Sequence, residues 1–162
     1  MREIEYKAKM VDGDVWVYGF LSDIDEITVP NEDDSVGYYT MDAYNVIPET
    51  VCQWTTLNDK NGKRLYKGDI FVYQKHDGYL IDNFIGAVNF KDGCYGYSVY
   101  FKYAKDAKTF TPFSKFDELQ EDFLNHIEVI GNINDKERQK QALIDTMRGD
   151  EELGLYDCGN EQ

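Results

Sequence analysis

The chain has 162 residues and a formal net charge of -14, enough length to bury a core without metal or disulfide staples and a field that repels nucleic acid and anionic lipid at long range. Its three cysteines, Cys52, Cys94 and Cys158, are odd in number and far apart, a spacing that fits neither a disulfide ladder nor a zinc knuckle. Charged Arg2, Glu3 and Glu5 follow Met1, and no apolar run reaches signal-peptide or membrane-spanning length, so a reducing cytoplasm is the expected location.

Aromatics make up 15% of the chain, with 13 Tyr and 9 Phe against 3 Pro. That bias favours strands with one buried and one wet face. In Glu3 to Met10, Ile4, Tyr6, Ala8 and Met10 alternate with Glu5, Lys7 and Lys9, which predicts a half-buried strand. Asp12 and Gly13 predict a turn, and Val15 to Leu21 the returning strand. Ser22 to Ser35 holds six acids and a proline, expected as an exposed loop with a short extended piece at Ile27 to Val29. Val36 to Met41 predicts a strand, and Asn45 to Trp54 an extended segment that Pro48 pushes towards a sheet edge.

Asn58 to Gln74, "NDKNGKRLYKGDIFVYQ", combines two corners with an apolar strand. Gly62 is free to take a left-handed conformation, Leu65 and Tyr66 form a brief extended piece, Gly68 and Asp69 turn again, and Ile70 to Gln74 enters the interior. Asp77-Gly78 and Asp92-Gly93 predict hairpins around Tyr79 to Phe90 and Cys94 to Tyr103. Ser114 and Asp117 fit a capping box before Phe116, Leu119, Phe123 and Leu124, a helical stripe. Ile127 to Ile133 is a dense apolar strand, Asn134 with Glu137 starts a second helix ending near Gly149, and an acidic tail follows.

Chemistry is sparse. His76, in a predicted turn beside Asp77, reads as an exposed residue before it reads as half of a catalytic pair. His126 is expected to serve a helix C-terminus through its charge or a carbonyl bond. Asp117, Glu118, Glu121 and Asp122 share a helix and read as a solvated face. Cys52 lies outside any cysteine-hydrolase motif and reads as a small buried side chain. Walker, dinucleotide, nucleophile-elbow and HExxH motifs are absent from the sequence. No catalytic residue, metal site or cofactor is therefore assigned.

The charge is uneven: residues 1–57 carry 12 acids against 3 bases, while residues 58–103 carry 7 bases against 5 acids. Lys60, Lys63, Arg64 and Lys67, with Tyr66 and Tyr73 as stacking groups, make the one segment with nucleic-acid character. The strongly anionic whole disfavours that use.

Pro48, Glu49, Thr50, Val51, Gln53, Trp54, Thr55 and Leu57, then Asp59, Lys60, Asn61, Gly62, Tyr66, Gly68, Asp69 and Ile70, follow a pattern that resembles the YopX family of phage and prophage proteins. The opening hairpin and "IEVIGNI" resemble that family too, so the likeness spans most of residues 2–133. Cys52 and Thr56 depart from it where glycine is usual, and Lys67 where an acid is usual. The resemblance implies a largely β, phage-encoded protein and carries over no catalytic residue. The Gly-Asp-Ile strand start also resembles small SH3-like barrels.

The expectation is thus a mainly β protein, α+β by content. It has an N-terminal β hairpin region over 1–57, an SH3-like barrel over 58–133 with a helix before its closing strand, and a helix and acidic tail over 134–162. It is expected to be non-enzymatic and to act through protein contact, with itself and with a host or phage protein as partners. Nucleic-acid binding through Lys60, Lys63, Arg64, Tyr66 and Lys67, and a hydrolase using His76, Asp77 or the Asp117 to Asp122 acids, are the alternatives.

Overall fold

The structure is a computed structural model, which describes residues 4–31, 40–77, 80–100, 110–113 and 117–135. The chain is mainly β, as its aromatic and turn pattern predicts. Eleven described strands, β1 (Tyr6–Lys9), β2 (Trp16–Asp23), β3 (Glu26–Pro30), β4 (Met41–Asn45), β5 (Cys52–Asn58), β6 (Arg64–Tyr66), β7 (Asp69–Asp77), β8 (Leu80–Lys91), β9 (Cys94–Tyr100), β10 (Phe110–Pro112) and β11 (Ile127–Asn132), accompany one described helix, α1 (Asp117–Leu124). They form two sheets, ordered β4-β3-β2-β1-β5-β6 and β10-β9-β8-β7-β11, with antiparallel pairing throughout. Closure of the second sheet into an SH3-like barrel is not among the pairings of the described residues. No helix among them is long and apolar enough to cross a membrane. The expected second helix and tail lie outside the described residues from position 136 onward, as do Val36 to Tyr39 and Ser114 to Phe116.

The first hairpin pairs Tyr6 with Gly19 and Ala8 with Val17, so one face of the sheet gathers Ala8, Val17 and Ile27 around Val46. The sequence leaves Lys7 and Lys9 on the wet face, whereas both are only 5% exposed. Asp69 at the start of β7 covers Lys7, and Trp16, Asp14 and Asp135, which follows β11, cover Lys9. Pro48 lies in a 3-10 turn, Pro48–Thr50, rather than on an edge, and the following β5 is flanked by β1 and β6. A proline at the first position of the turn costs the strand that follows none of its donors, which is how β5 keeps two neighbours.

Side chains from β7, β8, β9, β11 and α1 form the second core. Phe71, Val88 and Ile127 are fully buried there. Phe123 of α1 stacks on Tyr97 and Tyr73, with ring centroids 4.9 and 5.4 Å apart, and meets Phe71 edge-on at 5.8 Å. Aromatic pairs at these separations stabilise beyond their buried area, so much of the aromatic excess is spent in this core. Gly86 faces it: a Cβ there would stand 2.4 Å from the Phe71 ring. Asp92 (φ 52°) and Gly93 (φ 82°) close the β8–β9 hairpin as the two-residue turn that an Asp-Gly pair predicts.

Between Trp54, paired with Tyr66, and Asn58, paired with Arg64, three residues of β5 oppose the single residue Leu65. This bulge turns Leu57 and Leu65 into the second core, so β5 and β6 join the two halves. Thr55 Oγ1 donates to the Leu65 carbonyl at 2.8 Å, and Trp54 Nε1 to that of Leu57 at 3.0 Å. Thr56, at the centre of the bulge, has φ 74°. A β-branched residue in that region is strained. Replacing Thr56 with Gly, the residue usual in the family pattern, should raise unfolding stability by about 1 kcal/mol. Chemical denaturation checks this, and an unchanged or lower midpoint contradicts it.

Candidate functional site at the junction of the two sheets

Asn58 to Gln74 becomes the connection between the sheets. In its first corner Asp59 N donates to Lys63 O and Gly62 N to Asp59 O, both at 2.9 Å, and Gly62 takes φ 78°. The Asp59 side chain is the hub: Oδ1 accepts from Asn61 N and Lys63 N at 2.9 Å, and Oδ2 from Val129 N of β11 at 3.0 Å. Asp59 is 6% exposed. The second corner uses Gly68 at φ 83°, where a Cβ would press on Ile133 and Asn132.

Asp69, fully buried at the start of β7, is the centre of the second corner. Its Oδ1 accepts from Lys7 Nζ and from Asn132 Nδ2 at 2.9 Å, and its Oδ2 from Tyr66 N at 2.8 Å. Lys7 Nζ lies over the rings of Trp16 and Tyr66, 4.8 Å from each centroid. Lys9 pairs with Asp14 and lies 3.7 Å from Asp135, whose Oδ1 accepts from Trp16 Nε1 at 3.1 Å. Asn132 N donates to Asp135 Oδ2 at 2.7 Å. Two lysines of the first sheet are thereby held by two aspartates that follow Gly68 and β11. A buried pair of this kind needs its remaining lone pairs satisfied, and at Asp69 they are.

Cys52 faces the same seam at 3% exposure. Its thiol donates to Thr50 O at 3.1 Å, and Asn134 Nδ2 approaches the sulfur at 3.8 Å. Burial pushes the thiol above its ordinary pKa, with Lys7 opposing, so this sulfur stays protonated and unreactive at neutral pH. Burial also raises the Tyr66 phenol to about 12 and Tyr18 in the same direction. Both phenols are favoured neutral in the fold. The stability Tyr66 lends is therefore whole below the ordinary value of 10.0 and disappears as pH rises through about 12, and that of Tyr18 is likewise lost on the alkaline side. A melting series in alkaline buffers, followed by tyrosinate absorbance, should show unfolding coincident with ionisation; phenols ionising freely without loss of fold would contradict the seam.

The residues named for binding divide between the two sides of the corner. Lys60 pairs with Glu128 at 2.6 Å, and Lys63 Nζ donates to the Val129 carbonyl at 3.4 Å, so both serve β11. Arg64 pairs with Glu5 and lies over Trp54, its guanidinium carbon 4.6 Å from the ring centroid. The Tyr66 hydroxyl donates to the same Glu5 carboxylate, and its ring is buried, as is that of Tyr73. The Lys67 side chain is exposed.

His76 and Asp77 continue β7 opposite Ile81 and Leu80 rather than forming a turn, and their side chains lie outside the described residues. His126 caps α1 as expected, its Nδ1 lying 2.6 Å from the Asp122 carbonyl oxygen. Lys75 donates to the exposed Asp122 carboxylate at 2.8 Å and holds it below the usual carboxylate range. No group of three or more His, Cys, Asp or Glu among the described residues can hold a metal.

Lys7, Lys9, Trp16, Asn132 and Asp135 escape a reading of the sequence. The available hint was Asp69, an acid placed at the mouth of an otherwise apolar strand. Its partner Lys7 lies 62 residues away.

The model of the family described as "YopX protein" matches residues 5–138. The chain belongs to the YopX family. Of the motif residues, Asp59, Gly62, Tyr66, Gly68 and Asp69 are the ones that build the double corner. Membership supports a phage-type protein as the coarse reading. Among solved structures, this YopX-family chain is similar to protein EF1440 from Enterococcus faecalis, at 19% identity over 81% of this chain and 93% of that one, with a TM-score of 0.42. No curated protein matches it.

Proposed function

We propose that this chain is a non-enzymatic phage or prophage accessory protein of the bacterial cytoplasm, acting through protein–protein contact. Its partners are further copies of itself and a host or phage protein. The observation that carries this reading is the disposition of its charged groups: Lys7, Lys9, Asp59, Asp69 and Asp135 are bound to one another or to backbone amides, and Glu5 to Arg64 and the Tyr66 hydroxyl. Large apolar side chains such as Tyr18, Phe20, Ile24 and Met41 are meanwhile exposed. Chemistry needs a group left available to a substrate; here such groups cement the fold, and the exposed surface is what remains to work with. Light scattering at micromolar concentration should find a species larger than the 18.9 kDa chain, and a uniform monomer would contradict self-association.

Nucleic-acid binding through Lys60, Lys63, Arg64, Tyr66 and Lys67 draws less support. Three of these cations already have protein partners and the tyrosine ring is covered. A gel shift at low salt, where phosphate contacts are strongest, decides the point.

A further inference from the structure

Beyond the seam, the first sheet keeps its Lys7 side open. Direct pairing places Lys7 beside Tyr18, Phe20 beside Thr28, Thr28 beside Ala43, and Pro30 beside Met41. Opposed residues point to the same side of a sheet and alternate residues repeat it, so Tyr18, Phe20, Thr28, Pro30, Met41 and Ala43 share one face with Lys7. Lys7 is covered by Asp69 and Tyr66, while Tyr18, Phe20 and Met41 are 47, 43 and 48% exposed. The face carries no charge at its centre. Its described flank carries one sign: Asp23 and Asp25 stand exposed at the β2–β3 corner, and Glu26, two residues before Thr28, follows in β3.

We propose that this face docks a partner protein through an amphipathic segment whose apolar side chains lie on Phe20 and Met41 and whose Lys or Arg residues meet the acidic flank. Charge complementarity chooses the occupant. A second copy would bring the same three acids against their like, an arrangement that costs affinity and slows encounter, whereas a basic rim gains on both counts. The proposal rests on the protein-contact reading above and names the surface it uses; copies that self-associate do so elsewhere on the molecule.

The test uses the full chain and a synthetic amphipathic helix with Leu on one side and Lys on the other. Its counterpart with Glu in place of every Lys is the control. The Lys peptide should shift the Met41 methyl and the Thr28 and Ala43 amides in nuclear magnetic resonance spectra. Its affinity should fall with salt and drop at least about tenfold in the Phe20→Ser/Met41→Ser variant. That variant should keep the parent melting temperature, since both side chains are exposed. Shifts scattered over the acidic surface, equal binding of the Glu peptide, or affinity unchanged in the variant would overturn the proposal. So would a self-associated species that this variant dissolves, because the face would then belong to a second copy. Light scattering on the unmutated chain is read separately: oligomers that persist in the variant while the peptide fails leave the contact reading standing and remove only this surface.

Discussion

Asp69→Ala is expected to be the most damaging single change in the chain, costing about 3–5 kcal/mol of unfolding stability. Three groups lose their partner at once: the Lys7 ammonium, the Asn132 side-chain amide and the Tyr66 backbone amide. Lys7 and Asn132 are 5 and 2% exposed, so water does not readily replace the carboxylate. A buried cation without its counter-ion accounts for most of the loss, and whole-domain stabilities of about 5–15 kcal/mol leave little margin. Urea denaturation of the purified variant measures it. A midpoint close to that of the parent would mean that Lys7 has another way to be solvated.

Asp59→Ala comes next, with an expected loss of about 3 kcal/mol. One Asp59 oxygen holds the corner through Asn61 and Lys63, while the other reaches across to the Val129 amide of β11. The first two amides belong to a surface turn and can find water; Val129 is 7% exposed and cannot do so cheaply. The expected loss is therefore concentrated at β11. Hydrogen exchange should show the Val129 amide and its β11 neighbours losing protection while the first hairpin keeps its own. Equal loss in both sheets, or none, contradicts this assignment.

Local pattern made several elements legible. Alternation in Glu3 to Met10 identifies the Tyr6–Ala8 face, Asp92-Gly93 marks a true left-handed turn, and Gly62 and Gly68 mark corners that the backbone fills with positive φ. His126 at the end of α1 follows from the same local reasoning. What the pattern could not show is which wet face receives a cover. Lys7 and Lys9 look solvent-facing because alternation reports two sides of a strand and nothing about a second sheet that arrives from β7 and β11. Pro48 misleads for a related reason: its effect ends within the 3-10 turn, and β5 pairs on both sides through contacts set by distant strands. The basic segment 60–67 looks like a binding patch because its counter-ions, Glu5 and Glu128, lie far away in the chain. Lone charges in sequence become pairs only in three dimensions.

Lys7 and Asp69 hold each other across the seam. A double-mutant cycle of Lys7→Met and Asp69→Asn in urea tests it most directly, because asparagine keeps an acceptor for the Tyr66 amide while both charges go. The predicted result is strong coupling: each single variant clearly destabilised, and the pair recovering at least about 1 kcal/mol of the summed loss. Losses that simply add would show that the two charges do not depend on one another, and that the junction is held by something else.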